Sequence, residues 1–221
     1  MTNSMRIICL MIGYSFGLIQ SAYIYGRLHN IDIREHGSQN AGATNALRVL
    51  GKKAGAIVFA LDVTKAVVAI LLVRMLFSYG HSAIFPILVL YTGLGTVLGH
   101  NYPVYLKFRG GKGIAVMMGV MVSLSLMHLM AIFVFLLCLV LTRYVSLSSL
   151  LMVLVFFMQA IWYSLSPAGV YTVQGFSARI EFLILALILT ALPFLTHRKN
   201  IARLRDGTER KIGEKERVQK G

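Results

Sequence analysis

Stretches of about 20 mostly apolar residues, separated by short polar segments, constrain this chain before anything else does. Five stand out: Met5–Gly26, Ala54–Phe77, Ala83–Gly99, Leu147–Leu165 and Ile180–Thr196. In hydrocarbon every backbone polar group must be satisfied internally, and runs of this length do so as helices. Only 14% of the 221 residues are charged and 57% are hydrophobic, whereas soluble domains carry about 25% charge. A globule with this composition could not cover its own surface. The expected fold class is an all-α polytopic integral membrane protein. The net charge of +14 does not imply a nucleic-acid partner, because the basic residues lie between apolar runs rather than across a soluble face.

A sixth run, Ile114–Thr142, is too long for one comfortable span: as a single helix it would measure about 43 Å against a core of about 30 Å. Either it tilts strongly or it folds back near His128. The positive-inside rule selects the fold-back. Alternate segments are then Arg27–Lys53, His100–Lys112, Arg143–Ser146 and the tail from His197, and they hold 18 of the 22 Lys and Arg. The opposite side keeps Arg6, Arg74 and Arg179, with Lys65 inside a span. Seven transmembrane helices are expected, with the N-terminus outside, the C-terminus cytoplasmic and a short interfacial helix after the first span. Residues 1–196 would form the membrane domain. Residues 197–221 would form a basic cytoplasmic tail whose first part contributes to the site. The first run lacks a convincing small-residue cleavage site and is read as a retained helix. Cys9 and Cys138 lie inside apolar runs and imply no disulfide framework. Loops on the outer side, around Ser78–Ser82 and Ser166–Ser177, are nearly uncharged, so chemistry is expected on the cytoplasmic side.

Three cytoplasmic segments carry polar groups in useful patterns. From Ala43 a short helix can run to Gly51, with Ala43, Ala46, Leu47 and Leu50 on one apolar face. Thr44, Asn45 and Arg48 share the other face. An Arg there suits phosphate, since its planar fork donates two parallel hydrogen bonds, though it would equally serve lipid headgroups. The second segment ends in Gly110-Gly111-Lys112-Gly113 before an apolar helix. Glycines let backbone N–H groups approach an anion at a helix N-terminus, and Lys112 adds a full charge. Gly113 stands where a Walker A loop has Ser or Thr, so this is not that loop. A flexible turn with a snorkelling lysine is the plainer alternative. In the third segment His197 and Asn200 are three apart and can share a face. A histidine there also suits a helix C-terminus. Beyond them the tail, with Glu209, Glu214 and Glu216 among its basic residues, reads as a solvated extension drawn to anionic lipid.

Within the spans, Asp62 and Lys65 are costly and, at i and i+3, are expected to neutralise each other as a structural pair. His128 is expected to serve a turn or helix packing. The methionines read as packing or lipid-facing residues. No His, Cys, Asp or Glu cluster has metal-site spacing, and no metal or cofactor is expected.

These residues resemble the bacterial acyl-phosphate:glycerol-3-phosphate acyltransferases, the PlsY family. The first motif of that family is similar to Gly37 through Asn45 with Arg48. The second resembles Gly99-His100 through Pro103 to Gly110-Gly111-Lys112-Gly113. The third region resembles Val145 to Ser149 together with His197-Arg198-x-Asn200-Ile201-x-Arg203-Leu204 and Gly207-Thr208-Glu209. Leu61 to Lys65 is also similar to a family segment. The likeness runs from about Gly26 to Lys211. Two departures stand out: Gln39 occupies a position that is usually glycine, and Ala41 replaces a bulkier residue. If position 39 requires a positive φ, Gln39 carries a cost.

The resemblance implies a seven-helix enzyme of phospholipid synthesis in the bacterial cytoplasmic (inner) membrane, with its active site on the cytoplasmic side. It would move a fatty acyl group from acyl phosphate to the 1-hydroxyl of glycerol 3-phosphate, giving lysophosphatidic acid and phosphate. Membrane lipid is the remaining partner. By family matching Ser38, Arg48 and Lys112 would hold glycerol 3-phosphate, and the glycines at 110, 111 and 113, with Ser146, His197 and Asn200, would line the acyl-phosphate end. Ser38, Arg48, Lys112, His197 and Asn200 form the implied catalytic set. Asn40, Gly42, Thr44, Asn45, His100, Gly110, Gly111, Gly113, Ser146 and Ser148 would bind substrate. Either His197 or a substrate phosphate oxygen would take the hydroxyl proton. The rival reading is a transporter or channel for a phosphorylated solute, but transporters show internal repeats and midplane sites, and neither is visible. Many thioester-using membrane acyltransferases carry a His-x4-Asp pair. None of the six histidines has an aspartate five positions later; those positions hold Arg34, Ala41, Pro86, Tyr105, Phe133 and Ala202.

Overall fold

The computed structural model describes residues 3–77, 84–165, 173 and 175–214. Among them the regular structure is helical. The helices are α1 (Asn3–Gly17), α2 (Ser21–Leu28), α3 (Ala43–Leu50), α4 (Lys52–Phe77), α5 (Phe85–Asn101), α6 (Ile114–Leu124), α7 (Leu129–Thr142), α8 (Val145–Leu165), α9 (Phe176–Thr196) and α10 (Arg198–Arg205). Among the described residues, four runs are long and apolar enough to cross a membrane: Asn3–Leu28, Lys52–Phe77, Val145–Leu165 and Phe176–Thr196. Ile114–Leu124 and Leu126–Thr142 are apolar but shorter. Large apolar side chains such as Val140, Leu141 and Trp162 stand more than two-thirds exposed on the outside of the bundle, as lipid-facing residues do. The outer loops expected at residues 78–82 and 166–177 fall mostly outside the described residues, as does the tail from 215.

The bundle is built around α5, which is buried along most of its length. Its closest partner is α1. Gly13 and Gly17 on α1 meet Gly95 and Gly99 on α5, and a Cβ at any of the four would lie 2.0–2.4 Å from a carbonyl oxygen of the opposite helix. Small residues four apart let backbones touch where lipid gives no hydrophobic drive to associate. Thr92 and Thr96 face the same seam, and their hydroxyls are satisfied by the carbonyls of Leu88 and Thr92 in their own helix. At the end of the bundle opposite the cavity described below, Arg6 of α1 donates two hydrogen bonds to Glu181 of α9, and Tyr91 of α5 donates a third at 3.0 Å.

The first span is not the continuous Met5–Gly26 helix that the sequence suggests. It breaks between Gly17 and Ser21 because tertiary partners satisfy the carbonyls a continuous helix would have paired. Gln20 Nε2 reaches the carbonyls of Gly17, Gly99 and His100 at 3.0–3.2 Å. Tyr105 takes the Leu18 carbonyl at 2.7 Å and Lys65 that of Ile19 at 2.7 Å. The long run to Thr142 is also two helices. Ser125 is extended (φ −166°, ψ 144°), and its hydroxyl accepts the Met127 N–H. His128 is fully buried against Phe156 and bonded through Nδ1 to Gln159, which also takes the Met127 carbonyl. Lys112 before α6 and Ser146 at the start of α8 are joined through Asn200 and Glu209. The chain therefore leaves and re-enters one end of the bundle.

Candidate functional site

At that end lies a cavity of about 600 Å³, walled by residues of the first loop, α3, the glycine segment, α8 and the segment after α9. The first loop is fixed by two side chains. Asp32 caps the turn at Ile33–Glu35 by accepting the Arg34 N–H at 3.0 Å. The Arg34 guanidinium beside it holds its carboxyl down at about 2. Asn45 is buried, accepts the Ser38 N–H at 2.8 Å and donates to the carbonyls of Ile33 and His36. Gln39 sits at φ 58°, so the position does require the left-handed backbone that glycine supplies without cost.

Ser38, Asn40, Gly42, Thr44 and Arg48, which the family resemblance implies as site residues, all line the cavity. Asn45 does too, but both ends of its amide are committed to the loop, so it holds the wall rather than offering hydrogen bonds inward. Arg48 keeps an exposed side chain; partial burial pushes its guanidinium below the ordinary value, with Glu209 opposing the shift and Arg210 and Arg203 adding to it.

The glycine segment is only partly the anion cradle expected of it. The Gly110 N–H donates to the Asn101 carbonyl and the Gly111 N–H to the His100 carbonyl, so neither is available to a ligand. What faces the cavity is the start of α6: Gly113 at φ 80°, Ile114 and Ala115, with the positive end of the helix dipole behind them. Lys112 donates to Asn200 Oδ1. Burial pushes its ammonium down to about 8, with Glu209 opposing the shift and Arg203 and Arg48 adding to it.

The third segment contributes more than expected. His197 is buried, and its Nδ1 lies 2.8 Å from the Pro193 carbonyl. That contact places the proton on Nδ1 and leaves Nε2 as an acceptor. Burial, then the charge of Lys112, pushes the ring down to about 4. Glu209, which reads from sequence as part of a solvated tail, is only 8% exposed. It accepts Ser146 Oγ at 2.8 Å, Asn200 Nδ2 at 2.6 Å and Arg203 Nε at 2.7 Å. Burial would raise its pKa, but these hydrogen bonds outweigh burial and hold the carboxyl below its usual range. The segment is fastened beyond Glu209 by a reciprocal pair: Ile212 N–H to the Arg143 carbonyl and the Arg143 guanidinium to the Ile212 carbonyl, both 2.8 Å.

Ser148 donates to the carbonyl of Tyr144, the residue just before α8, and is not among the lining residues; Ser149 is. Sequence reasoning missed Lys199 and Arg210 on the wall, and it quoted Arg203 in the third motif without giving it a role. The signal for Glu209 lay in its Gly207-Thr208-Glu209 context, where Gly207 at φ 68° turns the chain back. Asp62 lines the cavity but is neutralised by Lys65 at 2.8 Å, as its spacing suggests. Among the described residues, five cationic side chains line the cavity against Glu209 and one paired aspartate, so its walls carry a net positive charge that would favour anions.

Residues 7–207 match the family profile described as Glycerol-3-phosphate acyltransferase. The chain is 42% identical over 215 residues to the Glycerol-3-phosphate acyltransferase of Thermoanaerobacter sp. (strain X514), covering 96% of this chain and 98% of that one. It is 43% identical over 210 residues to the Geobacillus kaustophilus protein of the same name, covering 94% and 96%. Among solved structures it is similar to PlsY, an integral membrane glycerol 3-phosphate acyltransferase, in its glycerol 3-phosphate form. The TM-score is 0.79 at 34% identity, over 94% of this chain and 96% of that one. The lysophosphatidic acid form gives 0.77 at 33% identity, covering 94% and 95%.

Proposed function

The chain belongs to the glycerol-3-phosphate acyltransferase family, and from that premise we propose that its cavity joins glycerol 3-phosphate to an acyl group delivered as acyl phosphate. The protein is an integral membrane acyltransferase that acylates glycerol 3-phosphate to lysophosphatidic acid. The observation that carries this reading is the cationic cavity at one end of an apolar bundle, where a water-soluble anion and a lipid-borne one meet. A solute carrier would place its site nearer the midplane.

Arg48 and Lys112, with Ser38, grip the phosphate of glycerol 3-phosphate. The start of α6, with Ser146, His197 and Asn200 opposite, faces the acyl-phosphate end. His100, Asn40, Gly42 and Thr44 complete the wall. The 1-hydroxyl attacks the acyl carbonyl carbon, and the carbon–oxygen bond of the mixed anhydride breaks. The phosphate leaves with the bonding electron pair. His197 Nε2 accepts a hydrogen bond from the hydroxyl and orients it. A ring titrating near 4 is a weak base, whereas a phosphate oxygen has its second pKa near 6, so the departing phosphate takes the proton. Positioning and neutralisation of developing charge supply most of the rate.

The membrane arrangement belongs to the same reading: seven spans in the bacterial inner membrane, with the N-terminus outside and the cavity facing the cytoplasm. The test is purified protein in lipid with acyl phosphate and labelled glycerol 3-phosphate. Stoichiometric lysophosphatidic acid and phosphate are expected; acyl transfer to water alone would overturn the assignment of the acceptor.

A further inference from the structure

Two residues of α4 are ionisable and deep, and the reaction above gives them no part. Lys65 is 5% exposed and Asp62, one turn earlier, 1%. Such groups are expensive in a membrane and mark function by default. Lys65 Nζ lies 2.8 Å from Asp62 Oδ1, donates to the Ile19 carbonyl at 2.7 Å and meets His100 Nδ1 at 2.8 Å. Asp62 also accepts Ser21 Oγ at 2.8 Å. An ammonium has three donors and no lone pair. His100 Nδ1 is therefore the acceptor of the third donor, and the imidazole proton sits on Nε2. That nitrogen lies against the glycine segment: a Cβ on Gly111 would stand 2.1 Å from it and 2.9 Å from the Ala41 carbonyl. The His100 ring thus occupies the junction of the first loop and the glycine segment and lines the cavity.

We propose that Lys65 is a positioning residue that fixes His100 as an Nε2–H donor, aimed at a phosphoryl oxygen of a substrate in the cavity. Asp62 Oδ1, held by Ser21, keeps Lys65 in place; at 3.7 Å from His100 Nδ1 it is beyond hydrogen-bond reach of the ring, whereas Lys65 Nζ at 2.8 Å is within it. The tautomer of a histidine is set by the partner of its other nitrogen; at metal sites, removing the partner that orients a ligating histidine costs roughly 10–100-fold, and a loss of that order is expected here. The inference rests on the acyltransferase reading for its substrate but not for its tautomer.

The first measurement is therefore independent of turnover. In protein labelled with ¹⁵N-histidine, His100 is expected to show a protonated Nε2 and an unprotonated Nδ1. A protonated Nδ1 overturns the proposal even if the enzyme is fully active, whereas absence of transfer in wild type with the expected tautomer overturns the functional reading alone. The second measurement uses D62N/K65M, which removes both charges together. If the pair only neutralises itself, this variant has wild-type kinetics and the proposal fails. If Lys65 positions His100, the Nε2–H signature is lost and the KM for one substrate rises roughly ten- to hundredfold, with kcat changing less. A rise for glycerol 3-phosphate or for acyl phosphate identifies whose phosphoryl group His100 meets. Should the double variant fail to accumulate, H100Q against H100N decides. The Gln amide nitrogen falls near Nε2 and should retain the greater activity, whereas better retention by Asn overturns the proposal.

Discussion

Arg48, Lys112 and Gln39 each make a claim that a single substitution can settle. Arg48→Ala removes a charge-assisted fork worth roughly 1.5–3 kcal/mol, so kcat/KM for glycerol 3-phosphate should fall about ten- to a hundredfold with membrane insertion intact. Unchanged kinetics in folded protein would remove Arg48 from the site. Lys112 is cationic below about 8 and loses its charge as pH rises through that value. kcat/KM should therefore be level near neutrality and decline above about pH 8, and Lys112→Arg should carry the plateau to higher pH. His197, neutral down to about 4, adds no acid limb near pH 6, so such a limb retained in a His197→Gln variant would come from another group. Gln39 at φ 58° holds a backbone that costs a side-chain-bearing residue about 1 kcal/mol. Gln39→Gly should hold or raise activity and raise Tm by a few degrees, and a large loss of activity would show that the Gln39 side chain is used.

At the scale of elements, the segment from Gly207 to Ile212 behaves as a fastening whose tongue is Glu209. Glu209→Ala leaves donors on Ser146, Asn200 and Arg203 without their acceptor. Each buried unpaired donor costs roughly 1–3 kcal/mol. Because Arg203 is 42% exposed and recovers water, a net loss of about 2 kcal/mol is expected, read as a lowered Tm in detergent or nanodiscs. An unchanged Tm would mean that the segment is held elsewhere. This element also marks where sequence reading stops. The apolar runs are legible because hydrocarbon demands them residue by residue, and the break before α7 follows from a length no single span accommodates. The break before α2 is not legible, because it depends on Gln20 finding carbonyls of α5 that lie far away in the chain. Glu209 is hidden for the same reason: charges alternate around it as on any solvated tail, and only the return of the chain past Arg143 buries it. The motif residues were visible, but their division of labour was not. Asn45 and the Gly110 and Gly111 N–H groups turn out to hold backbone, which spacing alone does not separate from holding ligand.

For the whole molecule, the donor proposed above is acyl phosphate, which suits the cationic cavity. Phosphate is a leaving group that Lys112 and the start of α6 can stabilise as it departs, whereas a coenzyme A thiolate has few partners there. Acyl phosphate should support turnover, with acyl-coenzyme A and acyl carrier protein thioesters slower by at least about two orders of magnitude. Comparable rates with a thioester would reopen the assignment of the glycine segment. The position of the cavity at the end of the bundle carries a further consequence. One reactant is counted in moles per litre of water and the other in moles per mole of lipid, so the enzyme obeys two different concentration scales at once. Adding inert phospholipid at constant donor dilutes the acyl phosphate in its own two-dimensional phase and slows the reaction, while adding buffer leaves that reactant untouched. Saturation in the donor is thus a property of bilayer composition, and a cell that expands its membrane faster than it makes acyl phosphate lowers the rate of this step without any ligand binding to the enzyme.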